Sequence, residues 1–190
     1  SALDAFKKGD LIIVTDDADR ENEGDLFILA SKATAEKVGF MVRHTTGILC
    51  VAMTQDRARH LRLPLMVEEN QDSKKTAFTV SVDYKVGLTT GVSATERANT
   101  ARALADKGAA HSDFIRPGHV FPLIADKGGL RARRGHTEAG VALAQIVGAA
   151  PLTLLSEIVA EDGSMARGQS LIDFATQYSI PMVSIQELID

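Results

Sequence analysis

The sequence predicts an α/β fold: a layered, mixed β-sheet flanked by helices, in one compact domain spanning residues 1–190. Two observations carry this. Short apolar runs of strand length alternate with stretches whose apolar residues recur at helical spacing, from one end of the chain to the other. Connections such as 15–25 and 126–129 are too short for a crossover, so part of the pairing must be antiparallel. No repeat, low-complexity tract or linker interrupts the 190 residues, a length that buries a sizeable core.

SALDAFKKGD reads as a short helix with Leu3 and Phe6 on one face and Gly9 closing it. Leu11 to Val14 is a strand, and Leu26 to Ala30 is the next. Thr34 caps a helix in which Val38, Met41 and Val42 share a face, ending near His44. A polar turn at His44–Gly47 then runs into a buried strand, Ile48 to Met53. Thr54 starts a second helix that Pro64 stops. Glu68 to Thr76 is the most polar stretch and reads as a surface loop.

Phe78 to Val82 reads as a strand. Ser93 with Glu96 fits a capping box, so a helix begins at Ala94 and runs to Gly108 with Ala98, Ala101, Leu104 and Ala105 as its stripe. Arg116 to Ala125 reads as a turn followed by a short strand, and an Arg cluster with Gly135 leads into a helix starting near Thr137. Leu152 to Ala160 is an apolar strand interrupted by Ser156 and Glu157. A helix bearing Leu171, Phe174, Ala175 and Tyr178 follows, and Met182 to Ile185 is the last strand.

Composition excludes more than it selects. Hydrophobic residues make up 45% of the chain, charged residues 24%, and the net charge is −4, which argues against broad nucleic-acid binding. No apolar run approaches the length of a membrane span, and no signal-peptide pattern opens the sequence. One cysteine, Cys50, has no partner for an internal disulfide, in keeping with a cytoplasmic setting.

The chemistry centres on DDADRENEGD, Asp16 to Asp25, which packs six carboxylates between two strands. Like charges so placed need a compensating partner, and dense oxygen ligands suit hard divalent cations such as Mg2+. The spacing does not fit an EF-hand, and no Walker loop, zinc cluster or nucleophile elbow is present. His136 lies where a helix begins beside Arg133 and Arg134. It reads either as a metal-binding imidazole next to an anion pocket or as a capping histidine among surface arginines. Glu157 sits in an otherwise apolar strand, where a carboxylate is costly unless paired, metal-bound or used for proton transfer; a strand-end residue reaching water is the alternative. His119 follows a Pro-Gly turn and by itself reads as a surface histidine.

Taken together, DRENEGDL at 19–26, HTTGILCVAM at 44–53, FTVSVD and TTGVSATERANT between 78 and 100, RPGHVFPL at 116–123, RRGHTEAGV at 133–141 and SEIVAEDGSMAR at 156–167 resemble the 3,4-dihydroxy-2-butanone 4-phosphate synthase family of riboflavin biosynthesis. The motifs stand in family order over nearly the whole chain. The resemblance implies conversion of ribulose 5-phosphate to formate and 3,4-dihydroxy-2-butanone 4-phosphate by a homodimer, with Mg2+ or Mn2+ and two ions per site. It makes Glu21 and His136 the metal ligands and His119 and Glu157 the catalytic residues. Arg20, Glu21, Asp25, Arg133, Arg134, Gly135, His136, Thr137 and Glu157 are then the substrate contacts. Asp16, Asp17, Asp19 and Glu23 are left as charges that set the field or stand behind the ligands. Ala18 and Ile124 depart from the family's usual residues. The family also occurs fused to a GTP cyclohydrolase II domain, so the chain reads as a standalone enzyme or an N-terminal domain. A non-catalytic module that keeps only the anion pocket is the competing class of function.

Overall fold

The computed structural model describes residues 1–190 and shows one seven-stranded mixed sheet with helices on both faces. The strands are β1 (Ile12–Thr15), β2 (Gly24–Leu29), β3 (Cys50–Met53), β4 (Val82–Tyr84), β5 (Phe114–Ile124), β6 (Thr153–Glu157) and β7 (Met182–Ser184). They lie in the order β4-β5-β3-β6-β2-β1-β7; β3 runs parallel to β5 and β1 to β7, and every other neighbouring pair is antiparallel. The helices are α1 (Ala2–Lys8), α2 (Ala35–His44), α3 (Gln55–His60), α4 (Ala94–Ala105), α5 (His136–Ile146), α6 (Gln169–Tyr178) and α7 (Ile185–Ile189).

The period-2 alternation of each strand divides the core in two. From β2, Leu26 and Ile28 enter a cluster shared with Val38 and Met41 of α2 and Ala98, Ala101 and Leu104 of α4. Phe27 and Leu29 point the other way, against Phe6 of α1 and Ala139, Leu143 and Ala144 of α5. Phe27 and Leu26 are both wholly buried, so β2 is a central strand with no wet face. The same alternation puts Asp25 on the α5 side, in register with Glu157 of β6.

Four local expectations are corrected. The strand at Phe78–Val82 forms only isolated bridges at Phe78 and Thr79, and the ladder begins at Val82, where β4 shifts register against β5. Arg116–Ala125 is not a turn and a short strand: β5 runs eleven residues through a cis Arg116–Pro117 bond, because Gly118 lies flush against the Val82 backbone and lets the strand continue. Ser93 does accept the Glu96 N–H, but the Glu96 carboxylate does not close the box. It takes the Thr89 hydroxyl and the N–H groups of Thr89 and Gly91 instead, ordering the loop ahead of the helix. The final strand stops at Ser184, which caps the additional helix α7 in a box with Glu187. No helix is long and apolar enough to cross a membrane.

Candidate active site

The acidic segment connects β1 to β2, and Asp16 organises it. Its side chain is wholly buried and its two carboxylate oxygens accept the backbone N–H groups of Glu21 and Glu23, both at 2.9 Å. That folds Glu21 back over the end of the sheet. Arg20 lies alongside, 2.7 Å from Glu21 and 3.6 Å from Asp16. Asp17 turns outward and is gripped by Arg134 at 2.7 and 2.8 Å, which holds its carboxyl below the usual range.

From the opposite direction α5 brings its N-terminus to the same place. Gly135 is its N-cap and His136 its first residue. The His136 ring is buried, edge-on to Phe27, with Nε2 3.0 Å from the Val14 carbonyl oxygen. An Nε2–H donated to that carbonyl leaves the Nδ1 lone pair free in the neutral ring, the arrangement of a metal-binding imidazole oriented through its other nitrogen. Burial holds its pKa below the ordinary histidine value, which keeps the ring neutral. Asp16, Glu21 and His136 each place a potential ligand atom within 4.8 Å of the others.

Beside this cluster opens a cavity of about 220 Å³ lined by Glu21, Asp25, His136, Thr137, Arg133 and Glu157, with Cys50 and Phe78 in its wall. Asp25 is 3% exposed, and its Oδ1 has no hydrogen-bond partner. Burial, then the nearby charge of Glu157 and Glu21, pushes its pKa well above the carboxylate range. Glu157 is raised too, chiefly by burial and further by Glu21. Cys50 is pushed far above the thiol range by burial and by those same carboxylates, so it is an inert wall residue. Asp16, Glu21 and His136, with a free imidazole lone pair among them and the orphaned Asp25 oxygen beside them, could hold a divalent cation.

The anion side of the cavity is built at Gly135. A Cβ there would collide with the Arg133 guanidinium and the Glu138 carboxylate and crowd Arg20, so the missing side chain lets two arginines close in against the helix N-terminus. Arg133 is aimed by Glu138 at 2.7 Å and clamps the 68–76 loop through the Lys74 carbonyl and the Thr76 hydroxyl. The loop therefore contributes Asp72 and Thr76 to the cavity rim, which its polar composition did not disclose. A larger hollow of about 400 Å³ on the far side of Glu138 is walled by Leu63, Leu65, Ala77 and Ile124 and offers apolar surface.

The structure thus gathers Glu21, Asp25, Arg133, His136, Thr137 and Glu157 into one cavity, with Arg20 and Gly135 at its edge. Two expected residues lie elsewhere. Arg134 is engaged by Asp17 and Gln186. His119 sits on β5 outside the cavity lining, its side chain 45% exposed and its Nδ1 2.8 Å from Asp83. Asp16, expected as a charge that sets the field or stands behind the ligands, is a member of the cluster, and Asp83 was not singled out from the sequence. Each owes its place to a backbone N–H contact that no motif displays.

The family model for 3,4-dihydroxy-2-butanone 4-phosphate synthase matches residues 1–190. The chain belongs to that family. It is 52% identical to a probable bifunctional riboflavin biosynthesis protein, chloroplastic, of Oryza sativa subsp. japonica, over 99% of this chain and 36% of the relative. It is 50% identical to riboflavin biosynthesis protein RibBA of Bacillus mycoides, over 99% of this chain and 47% of the relative. The chain therefore spans half or less of the length of these curated relatives. A crystal structure of 3,4-dihydroxy-2-butanone 4-phosphate synthase in complex with two magnesium ions superposes with a TM-score of 0.95 at 45% identity, covering 99% of this chain and 93% of that one. A two-domain 3,4-dihydroxy-2-butanone 4-phosphate synthase from A. baumannii superposes at 0.94 with 40% identity, over 99% of this chain and 55% of that one.

Proposed function

We propose that this chain is the lyase of its family, converting D-ribulose 5-phosphate to formate and 3,4-dihydroxy-2-butanone 4-phosphate for riboflavin biosynthesis. The observation that carries the reading is the buried, unpartnered Asp25 facing Glu157 in a cavity that ends in an arginine-lined helix N-terminus. A phosphate suits Arg133, Arg20 and the free N–H groups of Gly135, His136 and Thr137, which neutralise it without a side chain having to move in. Arg134 supports from behind, tying the acidic loop to α5 through Asp17.

Glu21 and His136, with Asp16 beside them, would hold Mg2+, or Mn2+ in its place, and the cluster has carboxylate oxygens for two ions. Bound there, the ion polarises the substrate's ketone and makes the neighbouring carbon more acidic. Asp25 and Glu157, whose pKa values stand raised in a dry wall, are suited to take and return protons near neutral pH. Removal of the proton next to the ketone gives an enediol. Dehydration and skeletal rearrangement follow, and the water lost is taken up again when formate leaves, so that five carbons divide into one and four with no net water.

His119, outside the cavity of its own chain, requires a second subunit to act on substrate, which supports a homodimer with shared sites. A cytoplasmic setting agrees with the one unpaired cysteine. The reading is tested by incubating the folded protein with ribulose 5-phosphate and measuring formate with and without Mg2+. Metal-dependent formate, abolished by Glu157→Ala and by His119→Ala, is expected. Binding of substrate without formate would leave a non-catalytic pocket as the correct description. Sedimentation at assay concentration checks the dimer.

A further inference from the structure

We propose that the hollow on the far side of Glu138 is a second binding site, for a small organic anion with a flat apolar body, and that its occupant opposes phosphate binding in the catalytic cavity. The coupling rests on the reading above, which puts the substrate phosphate beside Arg133; the site itself does not.

The two cavities stand back to back. From Thr76 to Phe78 the chain runs beside the end of β5, with the Ala77 carbonyl oxygen accepting the Ile124 N–H at 3.0 Å and Phe78 bridged to Leu123. Successive side chains of such an extended strip point to opposite faces. Thr76, Phe78 and Leu123 accordingly border the catalytic cavity, while Lys75, Ala77 and Ile124 border the hollow. The partition is one strip of chain thick. Arg133 completes it and is the one residue that borders both spaces.

What the hollow takes follows from its walls. At about 400 Å³ it is nearly twice the size of the catalytic cavity and falls in the range of small-molecule sites. Ala58, Leu63, Leu65 and Ile124 form an apolar bed, and Leu65 is 54% exposed, with no residue of this chain laid over it. The charges around the bed are Arg59, Lys75 and Arg133 against Asp126 and Glu138. Both carboxylates are committed locally. Glu138 accepts from Arg133 and from the Asp126 N–H, each at 2.7 Å, and Asp126 closes its own turn on the Gly128 N–H at 2.8 Å. Lys75 spends one ammonium proton on the Asn70 carbonyl oxygen and keeps two to donate. A planar anion answers both features, with its body on the leucines and its charge between Lys75 and Arg133.

Two anions then share one guanidinium. Arg133 already donates to Glu138, to the Lys74 carbonyl oxygen and to the Thr76 hydroxyl, so what it offers either cavity is mainly its charge. An occupant of the hollow neutralises part of that charge, and phosphate on the other side of the partition binds more weakly. Linkage makes the effect mutual.

The experiment uses 1-anilinonaphthalene-8-sulfonate as the anionic probe, read by fluorescence on the folded chain with Mg2+ withheld, and N-phenyl-1-naphthylamine as its uncharged counterpart. Expected are one saturable site per chain and binding of the uncharged probe that is weaker by about 10-fold, the worth of one charge-assisted contact. Leu65→Glu should lose the anionic probe to at least the same extent while keeping native formate release in its absence. Saturating ribulose 5-phosphate should raise the Kd of the probe to a ceiling about 5-fold higher, and saturating probe should raise the Kd of ribulose 5-phosphate, measured by calorimetry, by the same factor. Absence of a saturable site, equal binding of the two probes, or undiminished binding to Leu65→Glu overturns the inference. So does displacement that grows without limit as ribulose 5-phosphate is raised, which puts the probe in the catalytic cavity, or a Kd for ribulose 5-phosphate that the probe leaves unmoved. A chain that shows every expected effect and yet releases no formate with Mg2+ upholds the second site and fails the lyase reading alone.

Discussion

A carboxylate's surroundings, not its presence, decide what it does in the acidic loop. Asp17 is outside and paired with Arg134; Asp16 is inside and spends both oxygens on loop N–H groups; Asp25 is inside with an oxygen unspent. Asp16→Ala should therefore free the turn that aims Glu21 and lower Mg2+ affinity by about 10- to 100-fold, as loss of an orienting group does, measured by calorimetric titration of the folded variant. Glu157→Gln has a two-sided outcome. Formate release should fall by about 10²- to 10⁴-fold, while the metal-free protein melts at higher temperature, because the charge that opposes ionisation of Asp25 is gone. A variant that is both inactive and less stable would place Glu157 in the scaffold instead. Six of the residues named from the sequence share the cavity. Asp83 escaped notice, and the part Asp16 plays in turning the loop was not specified, because a contact between a carboxylate and a distant or looped backbone N–H leaves no spacing to read.

Among the elements, β5 and α5 set the geometry. The helix was legible in the sequence to within a residue, since Gly135 followed by a run of small apolar positions marks both its start and its packing face; Gly140 in fact meets Ala52 and Thr153 closely. The strand was not. Pro117 and Gly118 read as a turn because local chemistry favours one, and only the β4 backbone beside Gly118 keeps the strand going. Gly118→Ala drives a Cβ into the main chain of Val82, which no rotamer change relieves. The cost should reach the upper end of the roughly 1–3 kcal/mol typical of overpacking, read from urea midpoints at unchanged m-value. A midpoint within error of the native one would mean that the bulge accommodates a methyl and that the strand is looser than described.

Taken whole, the molecule carries its charge strain in one place, and its stability should follow pH accordingly. Asp25 and Glu157 have raised pKa values, so the folded chain keeps protons that the unfolded chain releases above the ordinary carboxylate values of 3.8 and 4.5. Their contribution is thus greatest in acid and is lost as pH rises through the raised values. His136 works the other way: its lowered pKa makes the fold lose stability as pH drops below 6.5, where the unfolded ring takes a proton. Mg2+ requires ionised carboxylates and a neutral imidazole. The gain in melting temperature on adding it should accordingly be larger at about pH 8 than at about pH 5, and chelator should erase it. An equal gain at both values would detach the ion from this cluster. The order of strands and helices and the α/β layering were determined by the sequence alone, because period-2 and helical patterning are local properties of a chain, while most of the residues of the cavity were named through the motifs' resemblance to the family. Tertiary structure alone decided which carboxylates are dry, that the 68–76 loop closes the rim, and that His119 belongs with Asp83 and stands apart from Glu157. Those outcomes depend on which strands become neighbours. The strand order, with β6 between β2 and β3 and β5 beyond them, draws Glu157 to Asp25 and carries His119 away to the β4 side of the sheet.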